Sequence, residues 1–312
     1  MRPLRSMLTA AALVLSCASR EIPLSVKEFQ DRLRSGSSCN KTLASGLRTS
    51  LDGPKSINNI SGHEANIEIL AWYYCGDYVN ATGSFLYAAS SAASSEADQP
   101  STLTIDCGGI RGGPEDTGLC DRLYEGPVKS TAFQYLIKRS HIPVKDLNTY
   151  FHPYVALGDF QDSQGSGSNF VEFDPQDDLV EPLSLVAVLC NGKMFYGLWA
   201  DTNNDTVSQP LVGQLSVAMA KMCYGEHAVE TQQRLDAGDL MFLAFTGTQA
   251  APGFYGADWG AKTPAEFEQG LALLGNKLIK RRVLPGKAAP MRDLPGPLIL
   301  LAFMGASLVI YS

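Results

Sequence analysis

Nine carboxylates fall between residues 154 and 214: Asp159, Asp162, Glu172, Asp174, Asp177, Asp178, Glu181, Asp201 and Asp205. Only one basic residue, Lys193, accompanies them. The stretch therefore carries a net −8, although the whole 312-residue chain carries only −7. Segregated negative charge attracts a cation. Paired carboxyl groups also move protons: one protonates a leaving oxygen while another activates water or attacks. Phe173, Tyr196 and Trp199 share the stretch, and flat side chains stack on sugar rings. Acids beside aromatics in strand-like runs are the equipment of a glycan hydrolase.

Other chemistries fit poorly. The chain has no G-x-S-x-G elbow, no P-loop and no G-x-G-x-x-G. Its four histidines (His63, His141, His152 and His227) show no H-E-x-x-H spacing. The run from Asp201 to Asp205 imitates the start of an EF-hand loop. Thr206 replaces the turn glycine, however, and Val212 occupies the position of the bidentate acid. No two cysteines have C-x-x-C spacing. The expectation is an enzyme with no metal and no cofactor, and no nucleic-acid partner.

The termini suggest a compartment. Residues 1–18 read as a signal peptide, with Arg2 and Arg5 before an apolar core and cleavage after Ala18. Four N-x-[ST] sequons, at Asn40, Asn59, Asn80 and Asn204, fit a eukaryotic secretory route. Six cysteines remain after cleavage, enough for three bridges, and Cys107 with Cys120 would staple a glycine-rich loop. Residues 286–312 form a linker and an apolar tail. That tail reads as a GPI signal, a membrane tail or a misread last exon. A secreted protein is expected, with surface anchoring as the alternative.

Residues 19–285 suit one domain, taken to be a monomer. Apolar runs at 184–190, 194–199 and 240–245 predict strands buried on both faces, with an Asn191-Gly192 hairpin between the first two. Residues 102–106 and 154–157 add two more strands. Helices are expected over 23–36 with Ser25 as N-cap, over 129–140, and over 264–282 with Phe267, Leu271, Leu274 and Leu278 on one face. Residues 88–101 and 161–169 read as loops. The class is α+β, a β-rich core with flanking helices, stabilised by disulfides.

In this setting the chain resembles the fungal endo-chitosanases of glycoside hydrolase family 75. The matching pieces include Ser50-Leu51-Asp52-Gly53-Pro54, Tyr74-Cys75-Gly76-Asp77, residues 99–107, Asp146-Leu147-Asn148 and His152-Pro153-Tyr154-Val155. They continue through Phe173-Asp174-Pro175-Gln176, Val180-Glu181-Pro182-Leu183-Ser184, the run from Tyr196 to Asn203, Phe245-Thr246-Gly247 and Ala257-Asp258-Trp259. They keep family order from about residue 25 to 282, with residues 56–70 as an insertion. The resemblance implies inverting hydrolysis of β-1,4 bonds in chitosan, a cationic polysaccharide that suits an acidic cleft.

The resemblance also places an essential acid in a W-x-D-T-N segment, at Asp201, and a second in a V-G-E-x-S segment that double-psi β-barrels share. A barrel-like, double-psi core follows as an expectation. Here the second segment reads Val212-Gly213-Gln214-Leu215-Ser216, with glutamine at the glutamate position. An amide neither donates nor accepts the required proton. Asp201, Glu181 and Asp174 are thus the candidate catalytic acids, and Glu226 is a further substitute for the missing glutamate. Trp199, Tyr196 and Asp205 are the candidate substrate contacts. The competing reading is a catalytically impaired glycan-binding wall protein, and a weaker one is a β-glucan hydrolase. Asp174 and Asp201 also have plain readings as turn-formers.

Overall fold

The Asn191-Gly192 turn organises the centre of the fold. Both residues have positive φ (48° and 69°), as a two-residue hairpin requires, and Cys190 pairs directly with Lys193 across it. The structure is a computed structural model describing residues 20–34, 41–47, 72–78, 84–90, 104–124, 126–127, 129–158, 174–202, 213–231 and 240–283. In chain order these hold β1 (Arg20–Glu21), α1 (Leu24–Arg34), β2 (Lys41–Leu47), β3 (Trp72–Tyr78), β4 (Ser84–Ser90) and β5 (Thr104–Asp106). Then come α2 (Leu119–Leu123), α3 (Gln134–Arg139), β6 (Tyr154–Ala156), β7 (Leu185–Cys190), β8 (Lys193–Asp201) and β9 (Gln214–Ser216). The last are α4 (Val217–Tyr224), α5 (Glu226–Glu230), β10 (Met241–Phe245) and α6 (Pro264–Leu278).

The ten strands form one mixed sheet in the order β2-β3-β4-β10-β7-β8-β6-β9-β5, with β1 paired to β8. The pairs β5–β9 and β6–β8 are parallel and the others antiparallel. The expected α+β class therefore holds. Barrel closure does not appear among the described residues, because no pairing joins β2 to β5. Every residue of β7 and β10 is buried, as their unbroken apolar runs require of strands covered on both faces.

Helices α6 and α4 supply those covers. A Cβ on Gly275 of α6 would strike the Tyr196 ring, at 2.4 Å, while one on the adjacent Gly197 would strike Met219 of α4, at 2.7 Å. Neighbouring strand residues face opposite ways, so the two helices clamp β8 from opposite sides. Thr263 caps α6 by accepting from Glu266 N–H at 3.2 Å, and Pro264 begins it. Phe267, Leu271 and Leu278 are buried as its periodicity predicts, with Leu274 packed at the edge. Helix α4 begins without a linker, since Ser216 ends β9 and also accepts from Met219 N–H at 3.2 Å.

Several local expectations are corrected. Helix α1 begins at Leu24, so Ser25 lies inside its first turn and is not its cap. The helix expected over 129–140 spans only Gln134–Arg139, because Thr131 gives its N–H and its hydroxyl to the Asp146 carboxylate. Residues 88–90 belong to β4 and not to a loop. Among the described residues two disulfides are present, Cys107–Cys120 and Cys190–Cys223. The signal segment, the four sequon asparagines, residues 56–70, the loop over 161–169 and the apolar tail lie outside the described residues. Among the described residues no helix is long and apolar enough to cross a membrane.

Candidate active site

One residue divides the sheet into an apolar and a polar row. Val155 pairs with Trp199 on one side and Leu215 on the other, and Leu215 pairs with Ile105; all four are buried. The next row runs Asp201, Ala156, Gln214 and Thr104; a register shift in β8 after Trp199 brings Asp201, and not Ala200, opposite Ala156. Ala156 and Gln214 face away from the apolar row, and the register shift carries Asp201 toward their side, where its carboxyl meets Gly108. Two residues further along β5, Asp106 pairs with Ser216 and keeps to that face. Along the sheet β6 and β9 separate β8 from β5, yet the chain leaving β5 curls back over Asp201.

Gly108 is the point of contact. The position that a Cβ on Gly108 would take lies 2.3 Å from Asp201 Oδ2 and 3.0 Å from Asp106 Oδ1. The two oxygens are thus no farther apart than the sum of those distances. Only a residue without a side chain fits between them. Asp106 is 6% exposed, and its Oδ1 accepts from Gly108 N–H at 2.6 Å. The Tyr154 hydroxyl lies 3.3 Å from the same oxygen and 2.8 Å from Gly108 O. Burial and the charges of Asp106 and Asp201 raise the Tyr154 phenol well above its ordinary value, so it stays protonated.

The Asp201 carboxyl has two unlike oxygens. Oδ1 accepts from Ala132 N–H at 3.0 Å and from Thr202 N–H at 2.9 Å. Oδ2 is the oxygen turned to Gly108. Burial of the carboxyl, and next the neighbouring charge of Asp106, raise its pKa well above the usual carboxylate range. With two donors committed to Oδ1, the proton belongs on Oδ2. Asp201 is half-buried as a residue, while its carboxyl is nearly enclosed. A carboxyl whose pKa is raised in this way suits a general acid.

Backbone and side-chain ties fix this arrangement. Asp146 holds Thr131 through both oxygens and accepts from Gln134 Nε2 at 3.1 Å, setting the segment whose Ala132 N–H meets Asp201. Thr149 gives its hydroxyl to Asp106 O at 2.6 Å and accepts from Val217 N–H at 3.1 Å, locking the end of β5 to the start of α4. Gly109, at φ 86°, allows its Cα to approach Leu147 O, which a Cβ would meet at 2.2 Å. Among the described residues no group of three potential metal-ligating side chains is assembled.

A family model described as fungal chitosanase of glycosyl hydrolase group 75 matches residues 103–281, a span that contains Asp106, Asp146, Asp201 and Gln214. The chain belongs to this family. It is 30% identical over 272 residues to an endo-chitosanase of Aspergillus oryzae (strain ATCC 42149 / RIB 40), covering 87% of this chain and 96% of that protein. An endo-chitosanase B of the same strain is 30% identical over 274 residues, with 88% and 97% covered. An endo-chitosanase of Aspergillus fumigatus is 29% identical over 274 residues, with 88% and 97% covered. No solved structure matches the chain.

Within this family member the residues expected from sequence take different places. Glu181 precedes β7, and the Leu183 N–H bond to Trp199 O puts it at the sheet end where Asp201 stands. Asp174 caps a short 3-10 turn, Pro175–Asp178, by accepting from Gln176 N–H at 2.7 Å, and burial raises its pKa. Glu226 begins α5, separated from Gln214 by the whole of α4. It lines a cavity of about 600 Å³ together with Lys193, which starts β8, whereas Asp201 ends it. At the usual rise, β8 separates those ends by roughly 25 Å.

The aromatic expectation is corrected. Trp199 is fully buried, its Nε1 donating to Leu157 O and Asp201 O, with Phe133 edge-on at 4.9 Å. Tyr196 is fully buried beneath α6, donating to Asn276 Oδ1, with the Arg20 guanidinium 4.7 Å over its ring. Neither ring offers a face to a sugar. Trp199 instead positions the backbone of Asp201. Asp205 lies outside the described residues. Sequence reading missed Asp106, although it ends a predicted strand within a matched segment; an acid before Cys-Gly-Gly was the available signal.

Proposed function

We propose that the protein is a secreted, monomeric endo-chitosanase in which Asp201 is the general acid. The observation that carries this reading is the Asp201 carboxyl beside Asp106, its pKa raised by burial and by that neighbour, set in a chain of the chitosanase family. Asp201 Oδ2–H gives its proton to the glycosidic oxygen as the C1–O bond breaks. A water molecule attacks C1, and its proton passes to a carboxylate base. Glu181, at the same end of the sheet, is the base we assign. The family resemblance supports inversion at C1. Negative charge around Asp201 also suits the ammonium groups of the substrate, which a neutral β-glucan lacks.

The binding-protein alternative requires an isolated Asp201 facing the amide of Gln214. Asp106 beside Asp201 speaks against that isolation. The test is viscosity loss and new reducing ends in a chitosan solution treated with purified protein, with chitin and β-glucan as controls. Cleavage of chitosan that Asp201→Asn abolishes is the expected result. Tight binding without turnover would sink the enzyme reading, and preferential cleavage of β-glucan would overturn the substrate.

A further inference from the structure

Asp106 has no part in the reaction as written, yet nothing about its placement is ordinary for a buried acid. It sits at the end of a three-residue strand with its carboxylate turned toward a second carboxylate. Gly108 lies against both, and any side chain there would collide with Asp201. The protein thus holds two acids against one another instead of keeping them apart.

We propose that Asp106 is a positioning residue of the hydrolysis, forming with Asp201 a carboxyl pair that shares one proton, which the surrounding donors direct to Asp201 Oδ2. The donors are distributed unequally. Gly108 N–H donates to Asp106 Oδ1 at 2.6 Å, and the Tyr154 hydroxyl lies 3.3 Å from the same oxygen. On Asp201 both backbone donors meet Oδ1, leaving Oδ2 to carry the proton. Like charges this close do not both ionise readily. The ionisable groups facing Asp201 are Asp106 from β5, Asp146 from the segment before β6, and the neutral Tyr154 phenol from β6. Among the described residues no cation pairs with Asp201. The upward displacement of its pKa by Asp106 agrees with this geometry.

The inference rests on Asp201 being the acid, but it can be measured without turnover. In the full chain carrying isotope-labelled aspartate carboxyls, NMR titration of the native protein should show the Asp106 and Asp201 signals moving together, each in two steps. Asp106→Asn keeps an acceptor for Gly108 and Tyr154 while removing the charge. In that variant Asp201 should titrate in one step, about one pH unit lower or more, and the alkaline limb of kcat/KM on chitosan should fall by the same interval. A merely structural role would lower activity at every pH without moving the limb.

Independent one-step titration of Asp201 in the native chain overturns the proposal, and so does an unchanged midpoint in Asp106→Asn. Should that variant fail to fold, the native titration decides alone. Coupled titration without chitosan cleavage would uphold the pair and defeat the hydrolase reading. Cleavage with an unmoved alkaline limb would do the reverse.

Discussion

Asp201 and Gln214 both pair with Ala156, which stands between them, Gln214 in regular antiparallel register and Asp201 across the register shift that follows Trp199. Two strand spacings separate their backbones by about 10 Å, near the upper end of the separation that inverting glycosidases give their carboxyl pair. Gln214→Glu therefore places a carboxylate where water attacks a bond protonated by Asp201. We expect this variant to raise kcat on chitosan by about ten-fold or more with KM little changed, since a base acts in the transition state. Reducing-end assays at saturating chitosan measure it. An unchanged kcat would leave the activation of water to Glu181 alone.

Glu181 and Asp174 should separate cleanly. Glu181→Gln removes the assigned base and is expected to lower kcat by about 10²-fold or more. Asp174→Ala removes a cap from the 3-10 turn, costing on the order of 1 kcal/mol of stability while leaving kcat within about two-fold. Urea melts beside kinetics on both variants decide this. Loss of turnover in Asp174→Ala at full stability would move Asp174 into the chemistry.

Gly108→Ala tests the closeness of the acids. The new methyl must displace Asp201 Oδ2, because the contact would be 2.3 Å. Misplacement of a reacting group by about 1 Å can cost about 10² in rate, so kcat should fall by that order. The circular dichroism spectrum should stay native. Full activity in this variant would show that the loop yields and that its approach to Asp201 is not needed.

The strands were legible because their chemistry is one-dimensional. Runs such as Leu185–Cys190 and Met241–Phe245 are apolar throughout, and Asn191-Gly192 encodes its own turn. Helix α6 announces itself through Thr263, Pro264 and a regular apolar face. Helix α4 gave no such signal, since Val217, Ala218, Met219 and Ala220 are all buried and leave no polar face to set a period. Asp201 was legible from its motif, but its partner was not. No spacing rule connects residue 106 to residue 201; the curl of the sheet does. Residue type also misled at Tyr196 and Trp199, because aromatic character says what a ring can do and not which side of a doubly covered strand it faces.

His152 gives the fold a pH signature of its own. Buried against Phe267 and Phe151, its imidazole is pushed from 6.5 down to about 4. Between those values the unfolded chain binds a proton that the folded one refuses, so stability is full above pH 6.5 and is lost as pH falls toward 4. The displacement corresponds to about 3 kcal/mol at most. Asp201 and Glu268, both raised mainly by burial, act with the opposite sign. The contribution of His152 is therefore read as the difference between the native protein and His152→Asn in urea melts from about pH 7 to about pH 4. A constant difference across that range would contradict a neutral buried His152.

Cys107 stands between Asp106 and Gly108, and its bond to Cys120 fastens that short stretch to α2. The distance between the two acids is thus set in part by a covalent link made after the chain is synthesised. A newly made, reduced chain possesses every acid but lacks this tether. On the proposed pairing of the two acids, catalytic competence would be a product of oxidative maturation, beginning where thiols are oxidised and not only when the chain folds.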